Sequence, residues 1–189
     1  MSANQVPCYG LVLCGGQSSR MGTDKAFITY HQKPQYIHVH DMLAPLCEAV
    51  YISCNSNQLH AIENAYKTIV DHPIYKNAGP MTGLLSAFHQ HPEASWLVVG
   101  CDYPFLAADD LQSLVQNRNA GFDAVCFKNM ETELDEPLIA WYGKQLYPVM
   151  STEYNHQQTS LRLLLGQVNT LRLIPNDLLT LRSVDQPSR

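Results

Sequence analysis

The chain has no excess of positive charge: 12 lysines and arginines stand against 17 aspartates and glutamates, for a formal net charge of −5. Without a basic stripe it has little to offer a run of phosphates, which argues against a general nucleic-acid binder. A single small anion stays within reach, because a few local cations can hold one phosphate whatever the net charge. Long apolar runs are missing too. None approaches the roughly 20 residues needed to span a bilayer. The opening MSANQVPCYGLVLCGG lacks a signal peptide's basic region and long apolar stretch. The six cysteines (8, 14, 47, 54, 101 and 126) contain no CxxC pair, and most sit in apolar segments. This favours buried free thiols in a reducing cytoplasm over a disulfide framework or a zinc site. His38 and His40 are two apart in an expected helix, as are His89 and His91, so neither pair shares a face. Low-complexity tracts, repeats and long linkers are absent as well, and the composition is 46% hydrophobic.

What is present is an alternation. Apolar stretches at 9–14, 49–54, 67–71, 96–101, 122–127 and 137–142 predict strands, and the segments at 34–47, 57–66, 81–91, 107–118 and 143–151 predict helices. Strands apolar throughout and separated by helices indicate an α/β fold, with a mostly parallel central sheet covered on both faces in three layers. Over 189 residues this makes one domain, 1–189. The stretch SLRLLLGQVNTLRLIP reads as a short helix, a glycine-containing turn and a strand.

In open α/β sheets, ligands bind beyond the carboxyl ends of the strands. The residues that end the first four expected strands are Gly15-Gly16, Asn55, Asp71 and Asp102, which the fold would bring to one edge. LCGGQSSRMGTDK, residues 13–25, combines glycines with Arg20 and Lys25. Glycines let backbone N–H groups approach an anion unobstructed. Neither the G-x-x-x-x-G-K-[ST] pattern nor G-x-G-x-x-G is met, so the stretch is neither a P-loop nor a dinucleotide fingerprint. The plain alternative is a Gly-Gly turn followed by a solvated basic loop. Asp102 emerges from WLVVGC, where a carboxylate is costly to bury without a cation. Mg²⁺ suits it, as a hard ion held by one or two carboxylates and a substrate's phosphates. Asp102 before Pro104 and Asp71 before a turn also read as ordinary caps. ETELDE at 131–136 reads first as a solvated loop, although Glu136 directly precedes an expected strand at the cleft.

LCGGQSSRMGTDKAFITYHQKP resembles the L-A-G-G-x-S-x-R-M-G-x-D-K…G-K-P signature of Rossmann-like nucleotidyltransferases. Within that superfamily the chain is similar to the molybdenum cofactor guanylyltransferases. The further matches are SCN ending at Asn55, IVD ending at Asp71, GPMTGLLSAF, CDYPFL and EPLIAWY, in the family's order over about residues 8 to 142. The resemblance implies transfer of GMP from GTP to the terminal phosphate of molybdopterin, with release of pyrophosphate. It implies that Leu13, Cys14 and Gly15 line the guanine and ribose site and that Gly16 lies beside the phosphates. Arg20 and Lys25 would serve the phosphates, Asn55 and Asp71 the nucleoside, and Asp102 both nucleotide and Mg²⁺. Other molybdenum cofactor biosynthesis proteins or molybdoenzymes are the implied protein partners.

The chain departs from the family in three places. Cys14 replaces the usual alanine, Gln32 the usual turn glycine, and the ending SVDQPSR stands where N-V-N-T-P-E-E-L is expected, which leaves Asp185 as a possible second metal ligand. Cytidylyl relatives tend to read L-A-A-G, so Gly15 favours GTP over CTP. The alternatives are a cytidylyltransferase or sugar-phosphate nucleotidyltransferase of the same fold, and a nucleotide-binding module without turnover.

Overall fold

In an extended chain successive side chains turn to opposite faces, and β1 (Cys8–Leu13) uses that alternation to fill two apolar layers. Val12 and Cys14 enter one buried cluster, Leu11 and Leu13 the other. The structure, a computed structural model, describes residues 6–14, 25–29, 31–62 and 64–183.

After β1 come α1 (Gln35–Leu43), β2 (Ala49–Cys54), β3 (Lys67–Val70), α2 (Pro80–Gln90), β4 (Ser95–Gly100) and α3 (Ala108–Gln116). Then follow β5 (Ala124–Lys128), β6 (Asp135–Tyr142), α4 (Leu146–Asn155), α5 (Leu161–Gln167) and β7 (Thr170–Leu173). The strands form one sheet in the order β3-β2-β1-β4-β6-β5-β7. Helices α1 and α3 share a core with one face, through Val39, Leu43, Leu111 and Leu114. Helices α2, α4 and α5 cover the other, through Leu84, Phe88, Met150 and Leu164. Among the described residues no helix is long and apolar enough to cross a membrane.

Two features of the topology position the site. The chain runs outward from β1 through β2 to β3 and then returns to place β4 on the other side of β1, so the switch point falls between β1 and β4. Strand β6 is antiparallel to both β4 and β5, while the remaining pairings are parallel. Reversal of β6 sends its first residues, Asp135 and Glu136, to the edge where the parallel strands end.

Two helix expectations need correction. The 57–66 segment holds only a short 3-10 turn, Leu59–Ala61, among the described residues. Asn55 and Gln58 explain this, because their side chains bond to nearby backbone and compete with helical hydrogen bonding. Helix α1 stops at Leu43 rather than continuing to 47: Ala44 still has helical backbone, but Pro45 has no N–H to give to the carbonyl of Asp41 and its ring crowds that carbonyl. The C-terminal helix and strand form as expected, with Gly166 inside α5 rather than in the turn that follows it.

Candidate active site at the carboxyl edge of the sheet

Hydrogen bonding continues one residue past several strand ends. Cys14 N–H donates to Ser53 O at 3.2 Å, Cys101 N–H to Leu13 O at 3.2 Å, and Asp71 N–H to Cys54 O at 2.9 Å. The described members of the expected set, Leu13, Cys14, Asn55, Asp71 and Asp102, therefore lie along one edge. Gly15, Gly16, Arg20 and Asp185 lie outside the described residues. The Lys25 backbone opens a 3-10 turn, Lys25–Phe27, and its side chain too lies outside them.

Asn55 is held by its own loop. Its Oδ1 accepts from Asn57 N–H at 2.9 Å and Gln58 N–H at 3.1 Å. Gln58 was not foreseen. It is buried, and its Oε1 accepts from Asn55 N–H at 2.9 Å while its Nε2 donates to Cys14 O at 3.2 Å. One amide thus ties the end of β2 to the end of β1, directly before the Gly15-Gly16 pair. The Asn55-x-x-Gln58 spacing was the available signal, but Gln58 fell inside the helix expected at 57–66.

Asp71 is half-buried, and its carboxylate makes no hydrogen bond or ion pair among the described residues. Burial pushes its pKa up. An ionised carboxylate in that setting lacks compensation until a ligand supplies N–H or O–H donors. Beside it, α2 starts at Gly79, whose φ of +55° and ψ of −133° are open only to glycine. The first turn of α2 then presses on the strand ends: a Cβ on Gly83 would stand 2.4 Å from Ser53 Oγ and 2.8 Å from Leu13 Cδ2. The positive end of α2's dipole is thereby set against the ends of β1 and β2.

Across the switch point the chemistry changes. Tyr103, next after Asp102, is buried and donates from its hydroxyl to Glu136 Oε1 at 2.6 Å. Burial pushes the Glu136 pKa up, against the lowering effects of the Tyr103 hydrogen bond, the Leu138 N–H and Arg162. Burial, with the Glu136 charge, drives the Tyr103 hydroxyl far above its ordinary value, so it stays a donor. Asp135 holds a bidentate pair with Arg172, Nε to Oδ1 at 2.9 Å and Nη2 to Oδ2 at 2.8 Å. Arg162 donates from Nε to Asp135 O at 2.8 Å. The segment from 152 to 180, whose role the sequence left open, thus supplies the cations that brace β6. Its tail is fixed as well: the buried Asp110 accepts from Thr180 Oγ1 at 2.8 Å.

The Gln32 substitution now has a structural meaning. Gln32 adopts φ +61°, the left-handed conformation, in the turn closed by the Thr29–Pro34 bridge. The adjacent His31 ring, through Nε2, is 2.8 Å from Pro104 O, joining this turn to the loop after Asp102.

A mostly parallel sheet with a switch point between β1 and β4, bordered by carboxylates, defines an open α/β protein whose ligands bind at the strand ends. A family model described as MobA-like NTP transferase domain matches residues 10–171, and the chain belongs to that family. It is 36% identical, over 74% of its length, to a molybdenum cofactor biosynthesis bifunctional protein of Synechocystis, of which it spans only 40%. It is 27% identical to a molybdenum cofactor guanylyltransferase of Pseudomonas putida, with 82% of this chain and 81% of that protein covered. The crystal structure of molybdopterin-guanine dinucleotide biosynthesis protein A from Archaeoglobus fulgidus shares the fold, with a TM-score of 0.77 at 21% identity over 95% of this chain and 93% of that one.

Proposed function

We propose that the chain transfers GMP from GTP to the terminal phosphate of molybdopterin, releasing pyrophosphate and forming molybdopterin guanine dinucleotide, with residues 1–189 acting as one transferase unit in the cytoplasm. Asp71 carries this reading. A half-buried carboxylate without a partner among the described residues suits the O–H and N–H donors of a nucleoside, and a second carboxylate group stands across the switch point for the other substrate.

The chemistry asks the protein for position and charge. An oxygen of the acceptor's phosphate attacks the α-phosphorus of GTP, a new P–O bond forms, and the bond to the pyrophosphate oxygen breaks. A phosphate monoester is already largely ionised at neutral pH, so no enzyme nucleophile and no strong base is needed. Leu13, Cys14 and Gly15 line the base and ribose site, with the Asn55 amide and Asp71 on the nucleoside. Gly16, Arg20 and Lys25 serve the phosphates, where charge builds as pyrophosphate departs. Gln58 and α2 fix the strand ends on which these contacts depend.

Asp102 offers hard oxygen donors, and no group of three or more potential metal-ligating side chains forms among the described residues. That donor set fits Mg²⁺, which takes one or two carboxylates together with phosphates and water. Asp102 would hold the ion, which neutralises phosphate charge that would otherwise resist an anionic attacker. Asp185 follows the described tail and remains a candidate for a second oxygen ligand. Glu136, with Tyr103, faces the acceptor.

Pyrophosphate release with GTP, ATP, CTP and UTP, each with and without molybdopterin, tests the reading. Release is expected with GTP and molybdopterin together and is lost in excess EDTA. Preference for CTP would make the chain a cytidylyltransferase, and turnover with a sugar phosphate alone would move it to that branch. Tight GTP binding without release in any mixture would leave a nucleotide-binding module.

A further inference from the structure

Cys14 and Cys101 follow directly on β1 and β4, at the switch point itself, and their sulfurs stand 3.6 Å apart in the buried interior. The register explains the meeting. Leu13 pairs with Gly100, so the next residues on each strand are neighbours and turn to the same face, where both enter the α1–α3 cluster. Adjacent strands lie about 4.8 Å apart, inside the roughly 4.4–6.8 Å that a disulfide bridges between Cα atoms. Neither sulfur is in a disulfide.

We propose that Cys14 and Cys101 are a modification site: a dithiol that a hydroperoxide converts reversibly to a disulfide, closing the nucleotide site. One thiolate attacks the peroxide oxygen, the O–O bond breaks, and a sulfenic acid forms as water or an alcohol departs. The second thiol displaces the sulfenic oxygen as water and forms the S–S bond. Two electrons pass from the sulfurs to the peroxide, and both thiol protons end in the products. A dithiol reductant reverses the change.

Closing the bond brings the sulfurs from 3.6 Å to about 2.05 Å. The backbone of Cys14 is held by Ser53 O and by the Gln58 amide, and Gly15-Gly16 follow it at once. Drawing Cys14 toward β4 therefore strains its bonds to Ser53 and Gln58 at the end of β1 on one side and shifts the residue before Asp102 on the other. Packing in a buried interior resists that movement, and a strained disulfide is a readily reduced one. The site thus behaves as a labile link, not a structural one. The gating part rests on the nucleotide-site reading; the cross-link does not.

A second thiol pair supplies the internal control. At the opposite end of β1, a hydrogen bond from Cys47 lowers the Cys8 pKa while that of Cys47 is pushed up. Wild-type protein, Cys101→Ala and Cys47→Ala are treated with hydrogen peroxide, alkylated and mapped by mass spectrometry, and GTP binding is titrated before and after. A Cys14–Cys101 peptide is expected in wild type and Cys47→Ala, removed by dithiothreitol, with GTP affinity falling about tenfold or more and recovering on reduction. Cys101→Ala should keep its GTP affinity through the same treatment. Absence of the Cys14–Cys101 peptide overturns the proposal, as does a linked protein that binds GTP as well as the reduced one. If reduced protein binds no GTP, the nucleotide-site reading fails and the gating with it, while the peptide map still decides the cross-link.

Discussion

On the β1-β2-β3 side of the switch point, the described strand ends are joined by neutral groups: backbone amides, the Asn55 side chain and the Gln58 amide bridging to Cys14 O. Among the described side chains at these strand ends only Asp71 brings charge, and it has no partner among the described residues. On the β4-β6 side the edge is ionic, with Glu136 under the Tyr103 hydroxyl and Asp135 clasped by Arg172. A nucleoside is a planar, uncharged group recognised by fixed donors and acceptors, which suits the first side. Two phosphate-bearing reactants meeting need charge neutralised, which suits the second where a carboxylate holds a divalent cation between them. The reversed strand β6 makes the contrast possible, because an all-parallel sheet would place the start of that strand at the far edge.

Removal of charge at the transfer point should break the contrast most severely. Asp102→Asn and Lys25→Ala are each expected to lower kcat by roughly 100- to 1,000-fold, with melting temperatures close to wild type. A rise in KM alone for Lys25→Ala would make it a binding contact without a part in transfer.

Gln58→Ala strikes the neutral side. It leaves Asn55 N–H and Cys14 C=O without their side-chain partner and should cost about 1–3 kcal/mol in stability, read by urea unfolding. An unchanged unfolding midpoint would show that the clamp is dispensable.

A smaller gain should follow from Gln32→Gly. Relief of a left-handed non-glycine residue is worth about 1 kcal/mol, seen as a raised melting temperature.

The subtlest effect is a pH slope. Asp71 and Glu136 both have raised folded pKa values, from burial in each case. Between the ordinary carboxylate value and the raised one, the folded state holds more protons than the unfolded state, so their contribution to stability falls as pH rises through that window. Without ligands, Asp71→Asn and Glu136→Gln should therefore be more stable than wild type at neutral pH. The advantage should shrink on acidification, and melting temperatures from neutral to acid pH would show it. A constant offset would assign the effect to packing.

The strands and the parallel architecture were legible in the sequence because continuous apolar runs such as WLVVGC have few other uses. That Asn55, Asp71 and Asp102 share one edge was legible from a rule about strand ends, which needs only the order of elements; Leu13 and Cys14 entered through the family resemblance. Reversal of β6 was not legible, since an apolar run carries no direction. With it went the pairing of Glu136 with Tyr103, thirty-three positions apart in sequence. Gln58 was missed because its polar neighbours fit a helix pattern until their side chains are seen to bind backbone. Arg162 and Arg172 lie in a segment whose helix and strand were foreseen but whose contacts depend on which edge they join. The Cys14–Cys101 meeting follows from register, which sequence alone does not fix.

The division of the edge into a nucleoside side and an acceptor side is tested most directly by one pair of variants. GTP dissociation constants and the KM for molybdopterin are measured for Asp71→Asn and Glu136→Gln in Mg²⁺. Asp71→Asn should weaken GTP binding and leave the KM for molybdopterin near wild type, while Glu136→Gln should raise that KM and leave GTP binding intact. If both variants weakened GTP binding alike, or neither changed either constant, the two sides would not be separate sites and the account would be wrong.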